Sequence, residues 1–483
     1  MYTLCIEQLL ANTVTHKDKT ALISVTGQPV TYGELLWHIS GVRERFQEMG
    51  IGRGDYVILS ASKTFGFVYA YFALHSLGAV CAPVDPQSTS GRLTLLRNFL
   101  KPKAQFWTEA GNGMEAITVL DALASDNTTW QPTVSAADLA DVMFTSGTTG
   151  IPKCACITHG NLAYAVNNIN MFIGNTAEDV EINPMPLSHS FGLARMRCTL
   201  YVGATMVLID GVSRPKALFH AMNKYGVTGI GMVAPAWTVL KRLSGDKMAD
   251  YKNQLRYVEF GSAPMPAQEK AHLASLLPHT RVCMHYGATE ASRAIFQEFH
   301  EDADHLDSVG CRSPLTEVAI INAEGEHLGF DQEGEVCVKG GMVSAGYLGM
   351  DSALFFWGDY FRTGDLGYRR NDGHVVLTGR ITEIINVGGR KVNPSEVDQA
   401  LIALPGIQDA ACVAAPDPLA GEVVAACLVA SGDKRFELDE IRSLLRGIIE
   451  EYKLPARLLY VDAIPKTNSG KIQRLELKAK FRQ

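Results

Sequence analysis

The sequence has no excess of basic residues: 44 lysines and arginines stand against 51 aspartates and glutamates, for a formal net charge of −7. Proteins that bind nucleic acid through its phosphates need a basic surface or at least a basic stripe. No such stripe is visible along the sequence. The composition therefore argues against a nucleic-acid partner.

No two of the ten cysteines form a CxxC pair. The one close pair, Cys154 and Cys156, has no second pair nearby, and only His159 lies close enough along the chain to act as a co-ligand. A disulfide framework is typical of small secreted domains and is improbable in a chain of 483 residues. We therefore expect reduced, mostly buried thiols and no zinc site.

The first ten residues, MYTLCIEQLL, lack the basic segment and the small-residue cleavage site of an export signal. The most hydrophobic stretch, 65–83, contains His75 and Ser76, and Gly78 divides it into a helix-length and a strand-length piece. A buried helix followed by a buried strand fits this stretch better than a membrane span does. We expect no membrane span and a cytoplasmic location.

Short β-branched runs alternate with segments of helical spacing. The runs cover 55–60, 204–210, 229–235, 255–261 and 281–287, and helical spacing covers 213–225 and 266–277. This rhythm predicts an α/β protein with parallel-rich sheets. Because ligands of such sheets bind at the carboxyl ends of the strands, the loops after these runs are the candidate site.

From about Gly334 the pattern changes to hairpin strands, with a turn at 371–373. After Arg380, strand-like segments at 381–389, 409–416 and 423–431 accompany helical segments at 394–404 and 437–452. We therefore predict a large N-terminal domain, 1–379, with parallel-rich sheets, helices and a hairpin-rich part. A small mobile α+β domain, 380–483, follows it.

The segment FTSGTTGIPK, 144–153, has the composition of an oligophosphate loop. Glycines let backbone N–H groups converge on an anion, hydroxyls add donors, and a lysine adds positive charge. The residues concerned are Thr145, Ser146, Gly147, Thr148, Thr149, Gly150 and Lys153. The Walker A pattern is absent, and a plain Ser/Thr/Gly linker is the alternative interpretation.

This segment closely resembles the phosphate loop of the adenylate-forming enzymes, which include acyl-CoA synthetases, peptide-synthetase adenylation domains and firefly luciferase. Further motifs of that family follow in the family's order. They are MPLSHSFGL (185–193), FGSAPMP (260–266), HYGATE (285–290), GEVCVKGGMVSAGYLG (334–349), YFRTGDLG (360–367), GRITEIINVGGRKVNPSEVD (379–398) and PKTNSGKIQR (465–474). The resemblance spans most of the chain from Asp141 onward.

The resemblance implies that the chain uses ATP and Mg²⁺ to activate a small-molecule carboxylic acid as an acyl-AMP. Glu290 would hold Mg²⁺, a hard cation that prefers carboxylate oxygen, and Thr289 would contact the α-phosphate. Asp365 would accept hydrogen bonds from the ribose hydroxyls, with Arg380 assisting. The adenine site would be formed by Gly261, Ser262, Ala263, His285, Tyr286 and Gly287, with Tyr286 stacked on the base.

The resemblance also implies two half-reactions served by a rotating C-terminal domain. Lys471 would offset the charge that builds on phosphate oxygens during adenylation, and His189 would gate the passage between acid and ATP. Gly388 and Gly389 would then leave a slot for the thiol of CoA or of carrier-protein phosphopantetheine. A Gly pair at a strand end is equally consistent with a turn.

By the same resemblance, the acyl pocket would be lined by Phe191, Leu193, Val233, Trp237 and the residues just after Glu290. Arg195, Arg197 and Arg293 lie close to these segments in sequence, and we expect them to face outward. An arginine inside the pocket would instead imply a second carboxylate or another polar group on the substrate.

Several functions stay open at this point. The favoured one is an acid–thiol ligase that acylates CoA or a carrier protein. The others are a ligase that activates an amino acid or small polar acid for a dedicated carrier, a luciferase-like enzyme without a thiol acceptor, and a catalytically inactive binding module. The amino-acid interpretation is weakened because no aspartate lies in or just after 185–193.

Overall fold

The computed structural model describes residues 2–111, 113–145, 153–311, 313–432, 435–467 and 470–481. The chain divides into two compact units. The first comprises Met1–Glu317 with Val338–Phe361, and the second comprises Val318–Cys337 with Arg362–Gln483. The predicted boundary after residue 379 lies within the second unit, and the division into 1–379 and 380–483 stays a prediction.

The first unit is an α/β structure, as the sequence rhythm predicted. Its helices are α1 (Cys5–Thr15), α2 (Tyr32–Glu48), α3 (Phe65–Leu77), α4 (Ser90–Leu100), α5 (His159–Ile173), α6 (Ser190–Tyr201), α7 (Pro215–Tyr225), α8 (Ala234–Ser244) and α9 (Ala267–Leu276). Its strands are β1 (Thr20–Ile23), β2 (Pro29–Thr31), β3 (Tyr56–Ser60), β4 (Val80–Val84), β5 (Ala104–Trp107), β6 (Glu115–Ala116), β7 (Leu139–Thr145), β8 (Lys153–Thr158), β9 (Val180–Asn183), β10 (Thr205–Leu208), β11 (Gly229–Val233), β12 (Tyr257–Gly261), β13 (Arg281–Tyr286) and β14 (Ile295–Glu298).

These strands form two sheets, each with a parallel centre. The first has the order β14-β13-β12-β11-β9-β10-β1-β2, and only its edge strands β14 and β2 run antiparallel to their neighbours. The second has the order β6-β5-β3-β4-β7-β8, with β8 antiparallel to β7. The parallel arrangement places the carboxyl ends of consecutive strands along one edge of each sheet.

Among the residues that the structure describes, three hydrophobic cores hold these layers together. One contains side chains from both sheets and from α1, α2, α3, α5 and α6, so these helices lie between the sheets. A second packs α7, α8 and α9 on the other face of the first sheet. A third packs α4 on the other face of the second sheet. A parallel sheet covered on both faces explains why its strands read as nearly continuous apolar runs.

The hydrophobic stretch 65–83 folds as the sequence predicted. The Thr64 side chain caps α3 by accepting from the N–H of Phe67 at 3.3 Å, and Gly78 ends the helix with a φ of 70°. The buried strand β4 follows at once. No described helix is long and apolar enough to cross a membrane. The ten cysteines are free thiols, and all but Cys311 are buried.

The boundary between the units crosses three strands, β15 (Glu317–Ile321), β16 (Gly334–Lys339) and β18 (Tyr360–Arg369). The short strand β17 (Phe356–Trp357) belongs to the first unit. The second unit also contains the strands β19 (Val375–Arg380), β20 (Ile385–Val387), β21 (Arg390–Val392), β22 (Ile407–Asp417), β23 (Gly421–Ala430) and β24 (Arg457–Tyr460), and the helices α10 (Pro394–Ile402), α11 (Leu438–Leu445) and α12 (Arg474–Ala479).

Two boundaries in the second unit differ from the sequence prediction. The helix predicted over 437–452 ends at Leu445, because Arg446 is extended (ψ 130°) and Gly447 takes a φ of 83°, which a helix does not accommodate. The segment 381–389 begins with a 3-10 turn, Ile381–Glu383, so its strand starts only at Ile385. Local apolar pattern does not reveal such changes in backbone direction.

Candidate active site

The carboxyl ends of β9, β11, β12 and β13 lie side by side at one edge of the first sheet. These four strands are mutually parallel, with Phe260 paired to Met284 and Val233 paired to Gly261. The loops that follow them carry the predicted acid and adenine residues. The sheet thus brings together segments that are up to about a hundred residues apart in sequence, at the edge where α/β proteins bind ligands.

The turn after β12 has a tight, left-handed backbone. Ser262 has a φ of 68°, which is uncommon for a residue with a side chain, and the N–H of Ala263 donates to the carbonyl of Gly261 at 2.9 Å. A Cβ at Gly261 would lie 2.1 Å from the ring of His285. Glycine is therefore required here by the neighbouring imidazole, which covers the turn from β13.

His285 belongs to a buried charge cluster. Its Nδ1 lies 2.7 Å from Glu259 Oε1, and Arg293 Nε lies 3.1 Å from the same oxygen. Burial alone would raise the pKa of the Glu259 carboxyl, but Arg293, His285 and Arg195 hold it below its usual value. Desolvation, assisted by Arg293, lowers the pKa of His285. The lowered pKa favours the neutral imidazole, which is buried against Glu259.

The loop after β13 doubles back on itself. The N–H groups of Ala288 and Ala291 donate to each other's carbonyls at 3.0 and 3.2 Å, and a Cβ at Gly287 would lie 2.6 Å from the carbonyl of Ala291. Tyr286 and Thr289 are half-buried in this loop. Glu290, at its end, is 7% exposed and accepts from the hydroxyl of Tyr347 at 2.6 Å.

A carboxylate can accept about four hydrogen bonds or metal contacts, so Glu290 keeps capacity for a ligand beyond Tyr347. A buried carboxylate oxygen at a ligand edge is also the donor type that Mg²⁺ prefers. The residues present therefore fit a magnesium ion at Glu290. Its role as the ligand stays a prediction.

The predicted phosphate loop connects β7 to β8. Thr145 and Lys153 pair across this hairpin at the base of the loop. Ser146, Gly147, Thr148, Thr149 and Gly150 lie outside the described residues. The Lys153 ammonium lies 5.0 Å from the ring centroid of Tyr347 and 4.8 Å from that of Phe355. Tyr347 thus contacts both Lys153 and Glu290.

His189 directly precedes α6 in the loop after β9, and it is exposed. Desolvation lowers the pKa of its imidazole, and the nearby Asp85 carboxylate offsets part of that shift. This shift favours the neutral form of the ring. Its place beside the carboxyl end of β9 is compatible with a gate, which stays a prediction.

The predicted acyl-pocket residues divide between two cores. Phe191, Val233 and Trp237 belong to the core on the α7–α9 side of the first sheet, whereas Leu193 belongs to the core between the sheets. The indole N–H of Trp237 donates to Glu269 at 2.6 Å. The Phe191 ring meets the His285 ring edge-on, with centroids 4.7 Å apart.

The expectation that Arg195, Arg197 and Arg293 face outward is wrong. They are 0%, 5% and 2% exposed and pair with carboxylates inside the first unit. Arg195 donates to Glu181 at 2.7 Å, Arg293 pairs with Glu259, and Arg197 lies 3.3 Å from Asp141. A buried guanidinium needs such a partner because an isolated charge is too costly to desolvate.

In the second unit, Asp365 and Arg380 pair across the antiparallel strands β18 and β19. Arg380 Nε lies 2.6 Å from Asp365 Oδ1, and Asp365 is 8% exposed. The backbone N–H of Asp365 donates to the Thr363 hydroxyl at 3.1 Å. Arg380 therefore orients the carboxylate that the sequence singled out as the ribose ligand, a role that stays a prediction.

Lys471 follows a tight turn. The N–H of Thr467 donates to the carbonyl of Lys471 at 2.8 Å, the N–H of Lys471 donates to the Thr467 hydroxyl at 3.1 Å, and Lys466 pairs with Ile472. Lys471 is exposed. Lys466 lies 2.6 Å from Asp409.

Gly388 and Gly389 form the two-residue turn between β20 and β21. Both have positive φ, 57° and 87°, and Val387 pairs with Arg390 on either side. Two consecutive left-handed residues are what a tight β-hairpin requires. Both glycines are exposed, and a Cβ at either would meet no atom within 4 Å. The two glycines thus meet the backbone requirement of a tight turn, and the space beside each of them is open.

Sequence reasoning missed several residues that the fold brings to these loops. Tyr347 is the clearest, because the motif at 334–349 predicts no role for it. Lys63, in the loop after β3, donates to the carbonyl of Asn183, the last residue of β9, at 2.5 Å and to that of Ile209, just after β10, at 2.6 Å. Desolvation lowers the pKa of Lys63 to about 7. The spacing of residues within one segment does not predict such long-range contacts.

Comparison with known proteins identifies relatives of this chain. Residues 10–348 match the sequence model of a family described as AMP-binding enzyme, and residues 396–471 match that of the AMP-binding enzyme C-terminal domain. The chain is 27% identical to a 4-coumarate–CoA ligase, CCL1, of Humulus lupulus, over 100% of this chain and 94% of the relative. It is 30% identical to 4-coumarate–CoA ligase-like 9 of Arabidopsis thaliana, over 94% and 85%.

The fold is similar to that of a solved structure, ATP-bound MatB from Rhodopseudomonas palustris. The TM-score is 0.88 at 25% identity, over 100% of this chain and 99% of that one.

Proposed function

The chain belongs to the AMP-binding enzyme family, and we propose that it activates a carboxylic acid as an acyl-AMP and transfers the acyl group to CoA. The observation that carries the proposal is the convergence, at one sheet edge, of the Gly261–Ala263 turn and the 286–290 loop with its buried Glu290. The relatives are named as CoA ligases, which supports CoA as the acceptor.

In the first half-reaction, a carboxylate oxygen of the acid attacks the α-phosphorus of ATP, and pyrophosphate leaves with the electron pair of the broken P–O bond. Glu290 would hold Mg²⁺, which when bound neutralises phosphate charge. Lys153, Thr145 and Thr289 would hold the phosphates, together with Ser146, Gly147, Thr148, Thr149 and Gly150. Lys471 would offset the charge that develops on the α-phosphate oxygens.

Adenosine would be held by shape more than by charge. The Gly261–Ala263 backbone would lie against the flat base, Tyr286 would stack on it, and His285 and Gly287 would close the turn from β13. Asp365, oriented by Arg380, would accept from the ribose hydroxyls. Each of these roles is what the family resemblance implies, and each can be tested by a single substitution.

In the second half-reaction, the CoA thiolate attacks the acyl carbonyl carbon and AMP leaves. Gly388 and Gly389 would give the pantetheine arm room beside the β20–β21 turn. Arg390 and Lys391, both exposed on β21, would contact phosphates of the acceptor. A carrier-protein pantetheine offers the same thiol, so the acceptor is a matter for experiment.

The test is exchange of labelled pyrophosphate into ATP across a panel of carboxylic acids, followed by AMP release with CoA or with pantetheinylated carrier protein. We expect one class of acid to support exchange, and micromolar CoA to support AMP release. AMP release with carrier protein but not with CoA would identify the carrier protein as the acceptor. Exchange without any thiol-dependent release would favour luciferase-like use of the adenylate. ATP binding without exchange by any acid would leave a binding module.

A further inference from the structure

The segment 343–348 runs along β8 directly after the end of the phosphate loop. Tyr347 pairs with Ala155, and the N–H of Cys156 donates to the carbonyl of Gly346 at 2.9 Å. The N–H groups of Ala345 and Leu348 donate to the carbonyls of Cys156 and Cys154, both at 2.9 Å. The 343–348 segment is thereby fixed as an added strand beside the chain that leaves the phosphate loop.

The same segment is also hydrogen-bonded to the loop that ends in Glu290. Val343 pairs with Ala291, and the N–H of Ser344 donates to the carbonyl of Glu290 at 2.7 Å. The hydroxyl of Tyr347 donates to Oε1 of the Glu290 side chain at 2.6 Å. Main chain and carboxylate of Glu290 are thus both held by residues within five positions of each other.

The ring of Tyr347 makes the third contact. Its face attracts the Lys153 ammonium at 5.0 Å from the centroid, and Phe355 meets it edge-on with centroids 4.6 Å apart. Lys153 also lies 4.8 Å from the Phe355 ring. Ring faces attract cations through their quadrupole, so the two rings together set the place of the ammonium.

We propose that Tyr347 is a positioning residue that fixes the Glu290 carboxylate relative to Lys153, and so sets the geometry for Mg²⁺ and the ATP phosphates. The inference rests on the proposed function, because it takes Glu290 as the magnesium ligand. A tyrosine suits the task because its hydroxyl and ring face are joined by a rigid plane. The Tyr347 hydroxyl thereby holds the negative charge of Glu290, and the Tyr347 ring face holds the positive charge of Lys153.

The magnitude follows from the behaviour of hydrogen bonds to metal ligands. Their loss commonly costs about tenfold to a hundredfold in metal affinity. Tyr347→Phe removes the hydroxyl and keeps the ring over Lys153. We therefore expect ATP binding with Mg²⁺ to weaken by about tenfold, while ATP binding in EDTA stays as in the unmodified chain.

The experiment is titration calorimetry of ATP against the full chain, with Mg²⁺ and with EDTA, in the absence of any acid so that no turnover occurs. Tyr164→Phe is the matched control, since its hydroxyl donates to the Leu315 carbonyl and does not contact Glu290. Thermal unfolding of each variant checks that it folds.

Equal affinities for Tyr347→Phe and the unmodified chain in both buffers would overturn the proposal. So would an equal loss in both buffers, which would indicate general damage to the nucleotide site, or an unmodified chain whose ATP affinity does not respond to Mg²⁺. Failure of the proposed function shows elsewhere: the unmodified chain would give no acid-dependent pyrophosphate exchange, while the Mg²⁺ comparison would still be readable.

Discussion

The guanidinium of Arg197 lies 3.3 Å from the carboxylate of Asp141, in the core between the two sheets and three residues before the predicted phosphate loop begins. Tyr71 donates to the same carboxylate at 2.9 Å, and His75 Nε2 lies 2.9 Å from its other oxygen. Burial would raise the pKa of Asp141, but these partners hold it below its usual value. The strand that leads into the loop is thus held by a buried ion pair.

Replacement of Arg197 by methionine should therefore destabilise the protein strongly. Removing one partner of a buried pair leaves the other charge desolvated and costs about 3–5 kcal/mol. Arg53→Met is the matched control, because the Arg53–Asp138 pair flanks the same strand but Arg53 is 61% exposed and such pairs contribute less than about 1 kcal/mol. Urea unfolding measures both, and similar losses for the two variants would contradict the expectation.

His159 should make the protein sensitive to acid. Desolvation lowers the pKa of its imidazole to about 3 in the folded state, against about 6.5 in an unfolded chain. Between these values only the unfolded state binds the proton, so stability falls as pH falls from about 6.5 toward 3, by up to about 1.4 kcal/mol per pH unit. His159→Phe should flatten this slope in urea titrations between pH 6.5 and 4.5. Parallel slopes for the two proteins would assign the acid sensitivity to other groups.

Arg293→Met should leave the preferred acid unchanged. Its guanidinium is engaged by Glu259 and lies 4.8 Å from the Phe191 ring centroid, so its charge is already balanced by a protein carboxylate. The expected effect is a loss of stability of about 1.5–3 kcal/mol, visible in urea unfolding, because Glu259 loses one hydrogen-bonded cation but keeps His285 and Arg195. A changed order of acids in pyrophosphate exchange would instead place Arg293 in contact with the substrate.

Arg474 should matter more for adenylation than for thiol transfer. It lies 2.7 Å from Asp398, 2.7 Å from Glu383 and 2.7 Å from the Cys412 carbonyl, and so anchors the chain three residues after Lys471. Arg474→Met should slow acyl-AMP formation at least about tenfold, the effect of roughly 1.4 kcal/mol. Lys466→Met, which breaks a half-exposed pair with Asp409, should have little effect. If Arg474→Met slows both half-reactions equally in single-turnover assays, the role of Arg474 is purely structural.

Lys471→Ala and Gly389→Asn should each impair a different half-reaction. Loss of the Lys471 charge should cost adenylation about 3 kcal/mol or more, while thiol transfer from preformed acyl-AMP survives. Asparagine tolerates the left-handed conformation that Gly389 requires, so this substitution adds a side chain and preserves the turn. It should slow thiol transfer and spare pyrophosphate release. If both variants impair both steps equally, the glycines are only a turn.

Much of this protein could be predicted from the sequence because the signals are local. The alternation of apolar runs predicted the parallel sheets, and Gly78 marked the break between α3 and β4. Motifs in the family's order identified Glu290, Asp365 and Lys471 as candidates. Each of these depends on residue types at short spacing, which the chain carries whether or not it is folded.

Only the tertiary structure decided the partners of these residues. The arginines near the acyl segments were expected outside and are buried, because Glu181, Glu259 and Asp141, on strands β9, β12 and β7, reach them and offset their charge. The link from Glu290 through Tyr347 to Lys153 joins three segments spread over nearly two hundred residues. The sequence determined which groups are present and on which elements they lie. The packing of the elements decided which of these groups meet. The physical reason is that a buried charge must be paired, because an unpaired charge is too costly to desolvate.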